Sequence, residues 1–582
     1  MQFNFHNTLY ASLAEAILGK IQNQFGVKLE LGDVYNLLVL PPNPKQGDLA
    51  FGCFKLAKDL KKSPAQIATE LAQDFSHFLI KSSQAAGPYL NFFWEPSKVN
   101  ELIINEFLSE EVFKKTLVSH APKTIIEYSQ PNTHKELHVG HMRNLCYGNA
   151  LVRIYRYAGV DTMSTTFPGD MGTHVAKCLW YYKKHNTEKP PKERKGAWLG
   201  TLYTAANNLL EEQRGSDKEE KNRAELTEIL HQLLSEKGEY FDLWKETRTW
   251  SVELMESVYD WAGVKFDKWY WESDVDAASV DLVKKYYDKG VFIKDDGAIG
   301  IDLTDEKLGF CLLLKSDGTG LYATKDVELA RRKFEDFKAQ RSLYVVDNRQ
   351  SLHFKQVFKT LEKIGFEQAK DCHHLQYEMV ELTDGAMSSR KGNIVALQAL
   401  IDRMQETIKL EYLNKYKSEW SDDEIEQTAH IIAAGAIKYG MNRTDANKKI
   451  IFDMGEWLKL DGESGPYIQY VYARINSMLN KMDSVSPGSF EKLIDPKESA
   501  LINHLAKFNQ VVQTALEKHA THVLCQYTYQ LAKLYNSFYA ECSVANAETQ
   551  ELKAARKGLS IAVSQAIKNA MCLLGIEVPT KM

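Results

Sequence analysis

Residues 123–144 read KTIIEYSQPNTHKELHVGHMRN. The run Lys123–Ser129 has the composition of a strand, and Pro131 indicates a turn directly after it. A helix is predicted to open at His138. The first backbone N–H groups of a helix lack intrahelical partners, and together with the helix dipole they favour a bound anion such as a triphosphate. The stretch therefore predicts a strand–turn–helix unit of an α/β fold, with a nucleotide site at the turn.

The tetrapeptide His138–His141 carries the chemistry of this turn. Gly140 has no Cβ, so a flat group such as adenine can lie against the backbone there. His138 and His141 stand three positions apart, where both can donate hydrogen bonds to phosphate oxygens as charge develops at phosphorus. By itself the tetrapeptide is equally typical of two surface or core histidines, or of part of a metal site.

A second motif lies far downstream, where residues 387–393 read MSSRKGN. Taken alone, this small basic segment is typical of a solvated loop. Together the two motifs resemble the His-Ile-Gly-His and Lys-Met-Ser-Lys-Ser signatures of class I aminoacyl-tRNA synthetases, which join an amino acid to ATP and then to tRNA. The finer resemblance is to the arginyl-tRNA synthetase family, through Glu127–Asn144 and through ordered matches at Gly169–Thr173, Leu321–Asp326, Gln350–His353, Ser464–Tyr470 and Met582.

A chain of 582 residues exceeds a single hydrophobic core, so several domains are expected. We predict three: an α+β unit at 1–115, a Rossmann-like parallel sheet at 121–405, and a helical bundle at 406–582. The sheet region is long for its class, and its excess at about 176–320 is interpreted as solvated insertions. The resemblance implies that these domains respectively meet the tRNA elbow, perform the chemistry and read the anticodon.

Several local signals accompany this division. Capping boxes are predicted at Ser63 and at Ser421, and the aromatic run after Gly87 predicts a strand. Gly440 and Gly575 follow apolar helical patterns and are predicted to end their helices.

Composition excludes several classes of protein. A net charge of −5 argues against indiscriminate binding of nucleic acid through a uniformly basic surface. No Gly-x-Gly-x-x-Gly or P-loop signature supports a dehydrogenase or a P-loop ATPase. The eight cysteines form no C-x-x-C pair, which suits free thiols, and Cys372-His373-His374 lacks further ligands at zinc spacing. No leader-like or membrane-spanning run is found, so a cytoplasmic protein without membrane contact is expected.

The resemblance also implies an arginine site. Asp326 matches the family's carboxylate for the guanidinium, and Tyr322, one helical turn earlier, shares its face if the segment is helical. Gln350 matches the position that holds the α-ammonium group. The remaining matches around the amino acid are Glu127, Ser129 and Asn132. Without the resemblance, Asp326 would be interpreted as a surface salt-bridge partner of Lys325 or Arg331.

The resemblance implies that activation is attack of the arginine carboxylate on the α-phosphate of ATP, which we expect to arrive as its Mg²⁺ complex, with no structural metal. ATP contacts are predicted at His138, Gly140, His141, Met387, Ser388 and Ser389. Ala386 and Ser389 stand where the two signature lysines would be. Many arginyl enzymes carry instead a lysine just before the first motif, which matches Lys135, so we assign transition-state stabilisation to Lys135 with Arg390 and Lys391 as helpers. Met171 and His174 also depart from the residues common in the family.

The helical bundle carries candidate RNA contacts. Tyr467, Tyr470 and Arg474 fall at i, i+3 and i+7 of one predicted helix, and Tyr539 belongs to a second. Tyrosine rings and the planar guanidinium of arginine can stack on unpaired bases. A row of tyrosines at helical spacing is, however, more often part of a hydrophobic core. The resemblance adds Asn91 and Met582, while Ser543 stands where some relatives have Trp.

The sequence thus predicts an ATP-dependent ligase of arginine and its tRNA that acts as a monomer. Two alternatives stay open at this point: a class I synthetase for another amino acid, and a catalytically dead tRNA-binding protein.

Overall fold

The computed structural model describes residues 1–4, 7–382, 385–386, 396–482 and 488–582. Its N-terminal elements are β1 (Gln2–Phe3), α1 (Thr8–Phe25), α2 (Leu31–Asn36), β2 (Leu38–Val39), β3 (Leu49–Gly52), α3 (Phe54–Leu60), α4 (Pro64–Ala72), β4 (Ile80–Ala86), β5 (Tyr89–Trp94), α5 (Pro96–Leu108) and β6 (Val118–His120). An antiparallel sheet in the order β2-β3-β5-β4 packs against helices, as predicted for an α+β unit. The capping box at Ser63 is confirmed, because its side chain accepts from the backbone N–H of Gln66.

The central elements form a parallel sheet with helices around it. They are β7 (Thr124–Glu127), α6 (Val139–Tyr157), β8 (Thr162–Thr166), α7 (Thr173–Lys184), α8 (Lys195–Glu212), α9 (Lys218–Leu234), α10 (Glu239–Ala262), β9 (Lys268–Trp269), α11 (Glu272–Asp288), β10 (Ile293–Asp295), β11 (Ala298–Leu303), β12 (Gly309–Leu314), α12 (Tyr322–Phe337), β13 (Arg341–Asp347), α13 (Ser351–Lys363), β14 (Cys372–Tyr377), β15 (Val380–Leu382) and β16 (Gly385–Ala386). The sheet order is β14-β13-β7-β8-β9, with every pairing parallel. The Rossmann-like prediction is confirmed.

The strand order reverses between β7 and β13, because the chain runs from β7 to β8 on one side and returns to β13 on the other. Such a switch point opens a crevice at the carboxyl ends of the strands. Helix α6 packs closely over β7 there: a Cβ on Gly148 would lie 2.2 Å from Cγ of Tyr128. The first motif therefore stands at the mouth of the crevice.

The insertion at about 176–320 consists of two parts. Helices α7 to α10 form small cores around Trp180 and Trp250, and β10, β11 and β12 form a separate antiparallel sheet. The charged segment 211–225 is largely exposed, as predicted.

The C-terminal elements are α14 (Leu397–Ile408), α15 (Asp422–Asn442), β17 (Ile450–Phe452), α16 (Met454–Leu458), α17 (Gly465–Lys481), α18 (Pro496–Leu505), α19 (Phe508–Lys518), α20 (Thr521–Glu541) and α21 (Gln550–Leu573). The capping box at Ser421 and the helix end before Gly575, with φ of 72°, are confirmed. The prediction that Gly440 ends its helix is wrong, because α15 continues to Asn442. A Cβ there would lie 2.6 Å from the Trp457 ring, so Gly440 serves close packing.

Among the described residues, no helix is long and apolar enough to cross a membrane. All eight cysteines are free thiols.

Candidate active site

A cavity of about 690 Å³ lies at the carboxyl ends of β7 and β13. Every described residue assigned above to ATP or arginine lines it: Glu127, Ser129, Asn132, His138, Gly140, His141, Tyr322, Asp326 and Gln350. The switch point thus brings together residues that are up to about 220 positions apart in the chain. The cavity is also lined by residues to which the sequence analysis assigned no ligand: Gln130, Asn144, Phe167, Gly169, Glu272, Val346, Asp347, Arg349, His353, Phe354, Tyr377, Met379 and Val380.

The two histidines of the first motif cap helix α6. Nδ1 of His138 accepts a hydrogen bond from the backbone N–H of Gly140, and the backbone N–H of His138 donates to Nδ1 of His141, both at 3.1 Å. Since each Nδ1 is an acceptor, each neutral ring carries its proton on Nε2. Burial, with the charges of Arg349 and Lys135, lowers the pKa of His138 to about 4, and burial, with His138 and Lys135 nearby, holds the pKa of His141 well below its usual value. Both rings are therefore neutral donors at neutral pH.

The turn between β7 and α6 has an unusual backbone. Ser129 has φ of 57°, and its backbone N–H donates to Oδ1 of Asn144 at 2.6 Å, while its hydroxyl lies 2.9 Å from that of Tyr259. Asn132 is held beside Gly169, where a Cβ would lie 2.4 Å from the Asn132 Oδ1 atom. A non-glycine residue at positive φ that is fixed by several contacts is typical of functional sites.

Asp326 and Tyr322 share one face of α12, as the spacing predicted. Nε2 of His353 lies 2.5 Å from Oδ2 of Asp326, and both side chains are largely buried, at 23% and 15% exposed. Burial alone would lower the pKa of His353, but the hydrogen bond and charge of Asp326 raise it. The surface salt bridge considered for Asp326 is wrong: Lys325 instead lies 3.4 Å from Asp276, and Arg331 pairs with other acids.

Glu272 supplies a second carboxylate to the cavity, at the first position of α11. Burial raises its pKa to about 7, against the opposing charge of Lys325, whose ammonium is 3.7 Å away. Oε2 of Glu272 is buried and accepts no hydrogen bond from the described residues. A buried carboxylate without a donor is costly, so this oxygen is ready to accept from a ligand.

Glu127, at the end of β7, is held from within the protein. Lys333 donates to its Oε2 at 2.6 Å, and the Lys333 ammonium lies 3.7 Å from the centroid of the Tyr344 ring. Gln130 donates to the other carboxylate oxygen at 3.3 Å. Glu127 therefore brings a buried but charge-balanced carboxylate to the cavity.

Lys135 lies at a smaller neighbouring cavity of about 140 Å³, which shares Asn132, His138 and His141 with the main one. A further cation, Arg349, lines the main cavity and forms a bidentate pair with Asp347 at 2.8 and 2.9 Å. Residues 387–393, with the predicted ligands Met387, Ser388, Ser389, Arg390 and Lys391, lie outside the described residues. Ala396, which follows them, forms a β-bridge with His138.

The departures noted at Met171 and His174 have structural explanations. Met171 is buried in the core formed by α7 and α9, and Nε2 of His174 lies 3.2 Å from the Gly169 carbonyl oxygen. Both side chains therefore support the wall of the cavity without lining it.

A separate cluster lies on α17 and α20. The Arg474 guanidinium is 4.7 Å from the centroid of the Tyr470 ring and 5.6 Å from that of Tyr539, which is 40% exposed. Arg474 donates to Asn536, whose amide in turn donates to the Tyr467 hydroxyl at 2.9 Å. The predicted stripe thus forms one connected group with an exposed aromatic plane.

Two further predicted tRNA contacts, Asn91 and Met582, lie elsewhere in the chain. Asn91 is buried on β5, at 4% exposure. Its strand begins with the half-exposed Tyr89, whose ring centroid is 5.5 Å from that of Phe54. The carbonyl oxygen of Met582 accepts a hydrogen bond from the Tyr416 hydroxyl at 3.0 Å.

Sequence reasoning missed Glu272, and local pattern gave no signal for it, because it opens an insertion helix far from both motifs. His353 had a signal, since it ends the matching segment Gln350–His353, but its partner was not foreseen. Among the described residues, no group of three or more His, Cys, Asp or Glu side chains is arranged to hold a metal ion.

Comparison with known families matches three consecutive parts of the chain. The model described as tRNA synthetases class I (R), catalytic domain, matches residues 103–454, which is more than half of the chain. The DALR anticodon binding domain matches residues 468–582, and the arginyl tRNA synthetase N terminal domain matches residues 9–94.

Similar proteins agree over the full length. An arginine–tRNA ligase of Bdellovibrio bacteriovorus is 53% identical over 99% of this chain and 98% of its own length. One of Clostridium perfringens is 33% identical over 96% of this chain and 98% of its own. Among solved structures, Thermus thermophilus arginyl-tRNA synthetase has a TM-score of 0.79 at 26% identity, covering 99% of this chain and 100% of that one.

Proposed function

Because this chain belongs to the arginyl-tRNA synthetase family and is an arginine–tRNA ligase, we propose that its main cavity binds arginine against α12 and ATP against the start of α6. The observation that carries this division is the common lining of the cavity by Asp326 and Tyr322 on one side and by His138, Gly140 and His141 on the other. The alternative of a class I synthetase for another amino acid is disfavoured, because the matching family model is that of the arginine enzymes.

In this proposal the guanidinium meets the carboxylates of Asp326 and Glu272, with the Tyr322 hydroxyl beside them. Planar guanidinium donors suit such acceptors, and Oε2 of Glu272, which accepts no hydrogen bond from the described residues, gains a donor on binding. Gln350 holds the α-ammonium group, while Ser129, Asn132 and Glu127 border the rest of the amino acid. The arginine carboxylate is then directed toward the phosphate side.

Adenylate formation is attack by the arginine carboxylate oxygen on the α-phosphorus, with pyrophosphate as the leaving group. We infer that Nε2–H of His138 and of His141 donate to phosphate oxygens, and that Lys135 opposes the charge that builds in the transition state. The ATP phosphates bring Mg²⁺ with them as part of the substrate. Met387, Ser388, Ser389, Arg390 and Lys391 stay assigned to the same end of ATP, on the strength of the family motif.

The tRNA receives arginine at its 3′ end, and we place its anticodon at Tyr467, Tyr470, Arg474 and Tyr539. Met582, in the same domain, is a further proposed tRNA contact. The elbow contact is assigned to the strand of Asn91, where the exposed rings of Tyr89 and Phe54 offer a surface for bases. We propose three functional units, at 1–115, 121–405 and 406–582, in a cytoplasmic monomer.

Two substitutions on opposite sides of the cavity test the division. Gln350→Ala should raise the KM for arginine roughly 10- to 100-fold, because a hydrogen bond to a charged group is lost, and should leave the KM for ATP unchanged. Gly140→Leu should do the reverse, because its side chain occupies the space assigned to adenine. Steady-state aminoacylation with arginine tRNA measures both constants. Equal shifts of both constants in both variants would contradict the proposal.

A further inference from the structure

The ammonium of Lys135 lies 4.9 Å from the centroid of the Tyr203 ring, on the insertion helix α8. Within the part of the chain that the structure describes, Lys135 forms no ion pair and donates no side-chain hydrogen bond. Among the described residues, the ring is therefore the group in contact with this cation. A cation over a tyrosine face is attracted by the ring quadrupole.

The Tyr203 ring is itself held firmly. Its side chain is only 6% exposed and belongs to a small core with Leu199, Leu202 and Trp250. A buried ring in a packed core cannot move far without breaking those contacts. Tyr203 is thus a rigid platform for a flexible lysine side chain.

Gly200, one helical turn before Tyr203, sets the distance between α8 and the loop that carries Lys135. A Cβ on Gly200 would lie 2.6 Å from the backbone nitrogen of Glu136 and 2.7 Å from its Cβ. No side chain fits into that space, so the two backbones touch only because this residue is glycine. The close approach brings the Tyr203 ring under the residue next to Glu136, which is Lys135.

The small cavity of about 140 Å³ connects this pair with the phosphate side. It is lined by Lys135, Tyr203, Gly200 and Thr204, by the two histidines of the first motif, and by Asn132 and Glu136, whose carboxylate forms no ion pair with Lys135 among the described residues. A lysine held at this wall has only to extend along the cavity to reach phosphate oxygens bound near His138 and His141.

We propose that Tyr203 is a positioning residue for adenylate formation, which holds the Lys135 ammonium beside the phosphate side without neutralising its charge. This inference rests on the function proposed above for Lys135. An acidic residue in the place of Tyr203 would also bind the ammonium, but its negative charge would cancel the field that Lys135 supplies to the transition state. A neutral aromatic face supplies the attraction alone. The insertion, through α8, thus contributes to the chemistry and is more than a surface elaboration.

Single-turnover adenylate formation, measured with arginine tRNA bound, tests the inference. Tyr203→Phe keeps the ring and should retain the wild-type rate within about 2-fold. Tyr203→Leu keeps the apolar volume but loses the quadrupole, so it should lower the maximal rate roughly 3- to 30-fold while the KM values for arginine and ATP stay unchanged. Tyr182→Leu is the matched control, because Tyr182 packs against the same core without lining the small cavity, and its rate should not change.

A double-mutant cycle separates positioning from folding. Lys135→Met should lower the rate roughly 100- to 1,000-fold, and Tyr203→Leu should have no further effect in that background, because the two residues act through one contact. An equal effect of Tyr203→Leu in both backgrounds would overturn the inference in favour of a structural role. If Tyr203→Leu kept the wild-type rate while Lys135→Met was slow, the role of Tyr203 would be overturned and the proposed role of Lys135 would stand. A near-normal rate in Lys135→Met would overturn the proposed role of Lys135 and the inference with it.

Fluorinated phenylalanines at position 203 give a second measurement that is independent of folding. Each added fluorine withdraws charge from the ring face and weakens its attraction for a cation. The logarithm of the rate should fall stepwise from phenylalanine to its mono-, di- and trifluoro forms. A flat series would overturn the inference.

Discussion

The imidazole of His353 and the carboxylate of Asp326 are hydrogen-bonded across two helices, with Nε2 of His353 2.5 Å from Oδ2 of Asp326. The carboxylate assigned to the guanidinium of arginine is therefore already engaged in the free enzyme. Its second oxygen remains for the ligand, and the His353 ring fixes the direction in which the carboxylate points. Arginine thus meets an acceptor whose orientation is set before binding.

Removal of the carboxylate should weaken the binding of arginine far more than that of ATP. We expect Asp326→Ala to cost about 3 to 5 kcal/mol in arginine binding, the scale for breaking a buried charge pair, with the KM for ATP nearly unchanged. Steady-state kinetics with both substrates varied gives the two constants. Glu335→Ala, an exposed acid on the same helix, is the control. An equal loss for ATP and arginine would indicate a structural role.

The His353 pair should make stability depend on pH. Asp326 raises the pKa of His353 above that of an unfolded histidine, which is about 6.5. The stabilisation is therefore complete below about pH 6.5 and is lost as pH rises through the folded pKa. We expect the difference in the free energy of unfolding between the wild type and His353→Gln to shrink over that interval. Urea denaturation across the pH range measures it, with the exposed His120→Gln as control. A difference that grows with pH would reverse the assignment.

Glu272 should show a pH dependence of its own. Burial raises its pKa from 4.5 to about 7, so the native state retains a proton that the unfolded state releases between these values. The contribution of this proton to the free energy of unfolding is thus complete below about pH 4.5 and is lost as pH rises through about 7. Without arginine, Glu272→Gln should be roughly 1 to 3 kcal/mol more stable than the wild type at pH 8, the scale of a pKa shift of this size.

Arginine should reverse that order, because it supplies the donor that the charged Glu272 lacks. At pH 8, saturating arginine should raise the free energy of unfolding of the wild type more than that of Glu272→Gln. Urea denaturation with and without arginine measures both changes. If arginine raised the free energy of unfolding equally in Glu272→Gln and in the wild type, Glu272 would not be part of the guanidinium site.

The alternation of strand and helix patterns predicted the parallel sheet, whereas most residues that line the cavity were implied by the family resemblance. The run from Lys123 to Asn144 contains a strand, its turn and the start of a helix, and such a unit closes locally. Glu272 and Tyr203 were not predicted, because their roles depend on how insertion helices pack against that unit. The prediction for Gly440 was wrong for a similar reason. A glycine near the end of an apolar pattern is typical of a helix end, and the packing of Trp457 against Gly440 depends on the tertiary structure.

The helix of the first motif also joins the catalytic sheet to the helical bundle. Near its far end, the Tyr155 hydroxyl lies 2.7 Å from Nε2 of His519, and from the middle of the helix the Tyr147 hydroxyl donates to the His519 carbonyl oxygen at 2.8 Å. His519 stands just before α20, the helix that carries Tyr539. Docking of an anticodon on α20 therefore has a short physical route, through His519 and α6, to His138 at the opposite end of α6.

We predict that this route makes the activation of arginine depend on tRNA, which is also what the family resemblance implies. Such a dependence requires tRNA to bind the active arrangement more tightly than the idle one. Arginine-dependent exchange of pyrophosphate into ATP should occur with arginine tRNA, be absent without RNA, and be reduced with a changed anticodon or in Tyr470→Ala and Arg474→Ala. Tyr155→Phe, which removes the hydrogen bond to His519, should lower the exchange rate at saturating tRNA. Tyr412→Phe loses a comparable hydrogen bond, to Leu458, and should not. Full exchange without RNA would end the coupling hypothesis, and a normal rate in Tyr155→Phe would move the route away from His519.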